Sequence, residues 1–128
     1  MKIYFLLAGI VLLLTGCENS GKNEIKVISG SDMQTNMKFR NMQVIDVRTK
    51  EEYKESHLLN AQNIIYDKNF RKNLAALDKD KPVAIYCTTG KVSPEAAQIL
   101  KDEGFKNIYI LEGGIKKLHT LQGEEITN

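Results

Sequence analysis

Residues 83–94 place a cysteine between a predicted strand and a predicted helix. Four strand-forming residues, Val83 to Tyr86, lead into Cys87, and the residues that follow are small or polar and include a glycine. Ser93 and Pro94 are typical of a helix N-cap and a first-turn proline. The backbone N–H groups of such a loop and the positive end of the helix dipole point at the sulfur. The segment therefore predicts a reactive cysteine at the end of a buried strand.

Charge explains why Cys87 is the candidate nucleophile. A loop whose amides converge on one side chain is an anion nest, and it stabilises a thiolate relative to a thiol. The alternative is that Cys87 is a small buried hydrophobic residue that ends a core strand. The candidate substrate-binding and anion-binding residues are those of the loop: Thr88, Thr89, Gly90, Lys91 and Val92.

Strand and helix patterns alternate along most of the chain. Strands are predicted over 26–28, 43–47, 61–65, 83–86 and 107–111. Helices are predicted over 33–39, 51–56, 69–77, 94–103 and 115–121. This alternation predicts an α/β fold with a mainly parallel central sheet and helices on both faces. Ligands of such sheets bind beyond the carboxyl ends of the strands, where Cys87 falls.

Apolar positions within these elements predict which faces are buried. The strand at 83–86 is apolar throughout and is therefore predicted to be central in the sheet. Ser31 and Asp32 are the candidate caps of the first helix. The predicted inward faces are Phe70, Leu74 and Leu77 in the helix at 69–77, and Ala96, Ala97, Ile99 and Leu100 in the helix at 94–103.

The N-terminal residues have the pattern of a signal peptide. Lys2 precedes a run of twelve apolar residues, from 3 to 14, whereas a membrane-spanning helix needs about 20. The sequence Leu14-Thr15-Gly16-Cys17 resembles the lipobox of bacterial lipoproteins, where cleavage before the cysteine leaves it at the N-terminus with lipid attached. Residues 1–16 are therefore predicted to be a lipoprotein signal peptide, and Cys17 the lipidation site. The alternatives are a secretory signal with an incidental cysteine and a short buried helix.

Lipidation would attach the protein to a membrane without a spanning segment, since each buried methylene adds about 0.8 kcal/mol. Residues 17–25 are predicted to be a polar tether, and residues 26–128 the globular domain. The predicted location is extracytoplasmic, lipid-anchored to a bacterial membrane in the cell envelope. Cys87 is then the only thiol of the mature chain, so no intramolecular disulfide can form. A lone thiol in that compartment is open to oxidation, so a chemical role explains its presence better than packing in the core does.

Composition excludes several other classes of function. The 128 residues, 42% of them hydrophobic, suit a single globular domain, and we expect a monomer. The formal net charge of +2 comes from 18 basic and 16 acidic residues spread along the chain, so no nucleic-acid partner is predicted. No cofactor or metal is predicted. His57 lacks a second ligand at a suitable spacing and is predicted to be structural, and His119 is predicted to lie on the surface.

Three motifs together resemble the rhodanese-like family, over about residues 39–121. The first comprises Val44-Ile45-Asp46-Val47-Arg48, Glu52-Tyr53 and the run from His57 to Ile64. The second is the loop from Cys87 to Ser93. The third runs from Gly104-Phe105 to Leu111-Glu112-Gly113-Gly114-Ile115. Three separated motifs in this order are more specific than a single Cys-x-x-Gly sequence.

The resemblance implies a three-layer rhodanese-like fold and a sulfurtransferase activity. In that family the loop cysteine takes sulfane sulfur from a small donor such as thiosulfate or a persulfide, and passes it to a thiophilic acceptor such as cyanide or a thiol. Cys87 would carry the sulfur as a persulfide, with amides of residues 88–92 holding the anion and the hydroxyls of Thr88 and Thr89 able to donate. The alternative from a different class is a non-catalytic rhodanese-like module that binds or docks at the cell envelope.

Departures from the family pattern limit the expected substrates. Val92 stands where rhodaneses commonly carry an arginine, so thiosulfate should bind more weakly than usual, and a thiol persulfide or polysulfide is the expected donor. Lys91 either supplies a point charge instead or is solvated. Further departures, which alter turns and packing more than chemistry, are Ser56, Leu59-Asn60 and Leu118, in place of a glycine, a Pro-Gly turn and a tryptophan.

Two residues of the first motif, Asp46 and Arg48, are predicted to support the site. Asp46 is expected to hydrogen-bond the cysteine loop or to cap the next helix. Arg48 and Glu52 lie four residues apart, which predicts an ion pair that holds a helical turn. A phosphatase-like Cys-x5-Arg site is excluded because Ser93 occupies the arginine position, and a Cys-x-x-Cys redox site lacks its second thiol.

Overall fold

The chain alternates between strands and helices, as the sequence pattern predicts. The computed structural model describes residues 23–39, 41–122 and 126–127. The strands are β1 (Glu24–Ile28), β2 (Gln43–Asp46), β3 (His57–Leu58), β4 (Ala61–Asn63), β5 (Val83–Tyr86), β6 (Asn107–Leu111) and β7 (Ile126–Thr127). The helices are α1 (Gly30–Phe39), α2 (Lys50–Glu55), α3 (Phe70–Asn73), α4 (Ser93–Asp102) and α5 (Gly114–Gln122), and a 3-10 helix (Leu74–Ala76) follows α3.

Five parallel strands form the central sheet, in the order β1-β6-β5-β2-β4. All four residues of β5 are buried, and its position in the middle of the sheet confirms the prediction from its apolar sequence. The short strands β3 and β7 form a separate antiparallel pair, which the sequence pattern did not predict. The predicted α/β fold with a mainly parallel sheet is confirmed.

Two apolar layers, one on each face of the sheet, hold the helices. Alternate residues of a strand point to opposite faces. Ile45 and Ile85 therefore pack with α3 and α4, whereas Val44 and Ala84 pack with α1 and α5. The helix residues of the first layer include Phe70, Leu74, Ala96, Ala97 and Leu100, together with Leu77 after the 3-10 helix; those of the second include Met33, Ile115 and Leu118. This confirms the three-layer arrangement and the predicted buried faces, except that Ile99 is only partly buried.

The parallel register brings the ends of three strands to one edge of the sheet. Asp46 is the register partner of Tyr86, so Val47 and Cys87 leave the sheet together at its carboxyl edge. The N–H of Val47 donates to the Tyr86 carbonyl at 3.2 Å, which continues the pairing by one step. The segment after β6 reaches the same edge, where the N–H of Ile115 donates to the Cys87 carbonyl at 2.9 Å. The segments that follow β2, β5 and β6 therefore assemble around the cysteine.

Two helices differ from their predictions. Ser29 caps α1, since its hydroxyl accepts the N–H of Asp32 at 3.2 Å, so the predicted caps Ser31 and Asp32 are wrong. The predicted helix at 69–77 is one α-helical turn followed by the 3-10 helix. Its buried positions are nonetheless those predicted, because three- and four-residue spacings serve both helix types.

The predicted signal peptide (1–16), the lipidation site Cys17 and most of the predicted tether (17–25) lie outside the described residues. β1 begins at Glu24, so the last two residues assigned to the tether pair with β6 instead. In the part of the chain that the structure describes, no helix combines the length and the apolar character needed to cross a membrane.

Candidate active site

The loop after β5 curls back on the sulfur of Cys87. The residue is buried, at 5% exposure, and the N–H of Gly90 donates to its Sγ at 3.0 Å. Gly90 has a φ of +85°, a left-handed conformation that favours glycine. A side chain there would also come within 3.4 Å of the backbone nitrogen of Gly113. This glycine therefore lets the loop turn tightly enough to direct an amide at the thiol.

Hydrogen bonds to the sulfur favour its thiolate form. Burial raises the pKa of the Cys87 thiol, but the polar groups near the sulfur outweigh it, so the pKa falls below its ordinary value. These groups are the side chain and backbone of Ser93 and the backbone of Val92 and Gly90, of which the Gly90 N–H makes a hydrogen bond of regular geometry. A negative sulfur is thus surrounded by donors, as an anion nest requires. The loop has the geometry that the sequence predicts for a nucleophilic cysteine.

Ser93 contributes more to this site than the sequence suggests. α4 begins at Ser93 itself and its N-cap is Val92, so the prediction of Ser93 as the N-cap is wrong. The Ser93 side chain is fully buried, and its Oγ makes no hydrogen bond of regular geometry within the described ranges. A buried polar group left unpaired costs about 1–3 kcal/mol. The acceptor that this hydroxyl can serve is an anionic sulfur on Cys87.

The start of α5 holds the cysteine loop from its other side. The N–H groups of Ile115 and Lys116 donate to the carbonyls of Cys87 and Thr88, at 2.9 and 3.0 Å. These bonds occupy two loop carbonyls and leave the loop N–H groups for the sulfur. Gly114 permits the close approach: its φ is +68°, and a Cβ there would lie 2.5 Å from the carbonyl oxygen of Thr88.

Asp46 and Arg48 form a buried ion pair beside the loop. Arg48 Nη2 donates to Asp46 Oδ2 at 2.7 Å and Nε donates to Oδ1 at 3.0 Å, and the two side chains are 7% and 0% exposed. The backbone N–H of Arg48 also donates to Oδ1, at 2.9 Å, and Nη2 donates to the Ser56 carbonyl at 2.5 Å. Removing one partner of such a pair costs about 3–5 kcal/mol, so the pair rigidifies this wall of the site.

This geometry overturns two predictions. Asp46 neither bonds the cysteine loop nor caps α2, because its carboxylate is occupied by Arg48. The predicted ion pair between Arg48 and Glu52 is also wrong, since Arg48 precedes the first residue of α2 and helical spacing does not apply to it. Thr49 is the actual cap of α2.

Glu52 joins the start of α2 to the cysteine loop. Its Oε2 accepts from the N–H and the hydroxyl of Thr49, at 3.0 and 2.9 Å, which completes a capping box. Its Oε1 accepts from the hydroxyl of Thr88 at 3.3 Å. Hydrogen bonds from Thr49 lower the pKa of the Glu52 carboxyl more than burial raises it. The Thr88 hydroxyl, predicted to serve an anion on Cys87, therefore donates to this carboxylate.

A cavity of about 310 Å³ opens beside the thiol. Its lining residues are Val47, Arg48, Thr49, Glu52, Ile65, Tyr66, Cys87, Thr88, Thr89 and Val92. Val92 is 38% exposed and contributes an apolar surface at the position where the family motif commonly has an arginine. Lys91 is exposed and does not line the cavity. This favours the interpretation that its ammonium group is solvated over the one in which it supplies a charge to the site.

Neither histidine contributes to the cavity. The ring of His57 stacks on Tyr53 with 3.9 Å between centroids, and its Nδ1 lies 2.8 Å from the Tyr53 carbonyl, which is the predicted structural role. His119 is exposed on α5, as predicted. Among the described residues, no group of three or more His, Cys, Asp or Glu side chains is arranged to hold a metal ion.

Fold and site together define a class of protein: a parallel α/β domain with a cysteine loop at the carboxyl edge of its sheet. The chain matches the family model of the rhodanese-like domain over residues 29–120. It is 36% identical over 91 residues to the thiosulfate sulfurtransferase GlpE of Coxiella burnetii (strain RSA 331 / Henzerling II), which covers 71% of this chain and 84% of that protein. The chain therefore belongs to the rhodanese-like family, and at the level of that family the match supports sulfur transfer.

Solved structures agree with this assignment. A rhodanese-related protein from Thermoplasma volcanium has a TM-score of 0.71 and 28% identity, with 80% of this chain and 97% of that chain covered. A rhodanese-like domain protein from Staphylococcus aureus has a TM-score of 0.68 and 26% identity, with 80% and 96% covered. The predicted rhodanese-like fold is confirmed.

Three residues of the site were not predicted as such. Glu52 could have been found from the spacing of Thr49 and Glu52, which is a capping-box signature. Gly113 and Gly114, at the start of α5, indicate that another segment of backbone passes close by, but they do not indicate which segment it is. The inward turn of Ser93 has no local signal, because a serine before a proline is equally typical of an N-cap.

Proposed function

We propose that this protein transfers or carries sulfane sulfur through a persulfide on Cys87. The observation that supports this most directly is the set of polar groups around Sγ: the Gly90 N–H donates to it at 3.0 Å, and the buried Ser93 hydroxyl, which has no hydrogen-bond partner in the described ranges, is free to donate to an anionic sulfur there. A deprotonated persulfide ends in a negative sulfur, which needs hydrogen-bond donors in a site that is largely closed to water. The adjoining cavity of about 310 Å³ has room for a small donor molecule.

The proposed reaction consists of two displacements. The Cys87 thiolate attacks the outer sulfur of a donor R–S–SH; a new S–S bond forms at Sγ, the donor's S–S bond breaks, and R–S⁻ leaves with the electron pair. A thiolate or cyanide then attacks the outer sulfur of the Cys87 persulfide, and Cys87 leaves as the thiolate. Both steps balance without a cofactor, because the sulfur atom and its electrons pass from donor to acceptor.

A thiol persulfide or polysulfide is the proposed donor in preference to thiosulfate. Thiosulfate is a dianion, and the side chains of the cavity offer it no free cation: Arg48 is paired with Asp46, and Lys91 lies outside the lining. Val92 cannot make the bidentate contacts of a guanidinium. The groups that remain to stabilise a bound anion are neutral hydrogen-bond donors, namely the loop amides and nearby hydroxyls.

The proposal also includes the location. The sequence pattern of residues 1–17 supports attachment to a bacterial membrane through lipid on Cys17, on the extracytoplasmic side. The domain would act there as a monomer on small sulfur compounds, without a nucleic-acid partner. The charge pattern of the sequence supports that last point.

Protein mass tests the sulfur-carrier proposal. The full-length protein, purified in detergent and treated with glutathione persulfide, polysulfide or thiosulfate, should gain the mass of about one sulfur atom, and cyanide should remove it. The Cys87→Ser variant should gain none under the same conditions. An unmodified mass with every donor would contradict sulfur transfer.

A non-catalytic docking module is the second candidate function. Val92 favours it, since this substitution removes the cation that the family motif commonly places in the loop. The mass experiment separates the two functions, because a docking module has no need to load its cysteine.

A further inference from the structure

The cavity beside Cys87 has an excess of negative side-chain charge. Apart from the Cys87 thiolate itself, Arg48 and Glu52 are the two charged side chains that line it. The charge of Arg48 is balanced by the buried carboxylate of Asp46, with 2.7 Å between Nη2 and Oδ2. Glu52 forms no ion pair with a cationic side chain in the described ranges. The sum over these three side chains is one negative charge, which belongs to Glu52.

The Glu52 carboxylate is fixed and still has acceptor capacity. Oε2 accepts two hydrogen bonds from Thr49, whereas Oε1 accepts one, from the Thr88 hydroxyl. A carboxylate oxygen has two lone pairs, so Oε1 can accept one more hydrogen bond. The bonds from Thr49 also lower the pKa of this carboxyl, so it is ionised at neutral pH. A sulfur donor that enters the cavity therefore meets the Glu52 carboxylate, which is charged and already oriented.

The rest of the lining does not compensate this charge. Val47, Ile65, Tyr66 and Val92 contribute apolar or neutral surface, and Thr89 contributes a neutral hydroxyl. An anionic donor would lie close to Glu52 without a free cation to offset the repulsion. A cationic group on the sulfur donor, at a suitable distance from the reacting sulfur, would instead donate the further hydrogen bond that Oε1 can accept.

We propose that Glu52 is a specificity residue and that the cavity selects sulfur donors with an ammonium group a few bonds from the reacting sulfur, namely aminothiol persulfides. This inference rests on the sulfur transfer proposed above. The ammonium donates to Glu52 while the Cys87 thiolate attacks the outer sulfur of the donor. The S–S bond of the donor breaks, and the aminothiol leaves as its thiolate, which takes a proton from water.

Three short persulfides that differ in charge test this selectivity: those of cysteamine (cationic), 2-mercaptoethanol (neutral) and 3-mercaptopropionate (anionic). The rate constant for loading Cys87, measured by mass on the full-length protein at low ionic strength, should be highest for cysteamine. We expect about five-fold between the cationic and neutral donors, and a similar further decrease for the anionic donor. The differences should shrink towards equality in 1 M salt, where exposed charges are screened.

Two matched variants isolate the role of Glu52. Glu52→Gln removes the charge but can keep the capping box, so its melting temperature should stay close to that of the unmutated protein while the differences among the three donors narrow. Glu55→Gln removes a charge from the same helix at an exposed position that does not line the cavity. Its donor preference should remain that of the unmutated protein. Comparing variants with each donor cancels the intrinsic reactivity of the persulfides.

Each outcome decides one proposal. Equal loading of the three donors, or a preference that survives Glu52→Gln or 1 M salt, would overturn the role of Glu52 while leaving sulfur transfer supported. No loading from any persulfide would overturn sulfur transfer itself and this inference with it. The salt series on the unmutated protein decides the question even where Glu52→Gln fails to fold.

Discussion

Val92 shows how one side chain can change the charge of a site and leave its loop intact. Its backbone is among the groups that lower the pKa of the Cys87 thiol, and backbone groups act whatever the side chain. The side chain itself is 38% exposed and lines the cavity without offering a donor. The two parts of anion binding, amides for the sulfur and a cation for the rest of the donor, are therefore separable here.

Val92→Arg should restore use of a dianionic donor. A guanidinium in this wall would bind thiosulfate and offset the charge of Glu52, so we expect kcat/KM for thiosulfate to rise about ten-fold in a cyanide-acceptor assay. Val92→Met is the matched control, since it is similarly elongated but uncharged, and should leave thiosulfate turnover unchanged. Equal gains in both variants would show that side-chain size, and not charge, limits thiosulfate.

The contact between the cysteine loop and α5 orients the loop as a unit. Two consecutive loop carbonyls, those of Cys87 and Thr88, accept hydrogen bonds from the first turn of α5. Gly114 lies against both of them: a Cβ on this residue would be 2.5 Å from the Thr88 oxygen and 2.6 Å from the Cys87 oxygen. Backbone atoms cannot move aside as a flexible side chain can. The packing of one helix end against one loop is therefore a condition for the amides to face the sulfur.

Gly114→Ala should displace the loop and reduce sulfur loading. Because a Cβ there clashes with backbone and φ is +68°, we expect a loss of about 2 kcal/mol in the free energy of unfolding and more than a ten-fold fall in the loading rate of the folded protein. Denaturant unfolding and protein mass measure the two effects.

Gly104→Ala is the control for backbone strain. Gly104 has a φ of +93°, but a Cβ there has only the end of the Lys79 side chain nearby, at 4.0 Å. This variant should lose stability and keep its loading rate. A similar loading rate for both folded variants would contradict the role assigned to α5.

Local patterns predicted the elements of this fold better than the contacts between them. The central position of β5 is predictable because four consecutive apolar residues are a local signal. The pairing of Arg48 with Asp46 has no such local signal, because the helical spacing of Arg48 and Glu52 does not apply to a residue that precedes α2. The donors around Cys87 were predicted as a group, whereas the orientation of Ser93 and the approach of Gly114 depend on elements distant in sequence.

At the level of the complete chain, the family match begins at residue 29, whereas the ordered sheet begins earlier, with β1 at Glu24. β1 forms an edge of the sheet by pairing with β6, so the domain includes the last two residues assigned to the tether, Glu24 and Ile25. Six residues, 18–23, separate Cys17 from β1, and at about 3.5 Å each they extend to about 20 Å at most. A lipid on Cys17 would thus keep the domain close to the membrane surface.

Cys17→Ser should release the protein from the membrane and leave its sulfur chemistry unchanged. Lipid on Cys17 is the proposed anchor, and Cys87 belongs to a separate, buried site. In a bacterial host grown with labelled palmitate, the unmutated protein should be recovered without residues 1–16, carry the label and sediment with membranes, whereas Cys17→Ser should be unlabelled and still load sulfur. Cys87→Ser is the matched control, since it removes the other cysteine and should keep the label. An unmutated protein that is cleaved, unlabelled and recovered free of membranes would instead indicate an ordinary secretory signal.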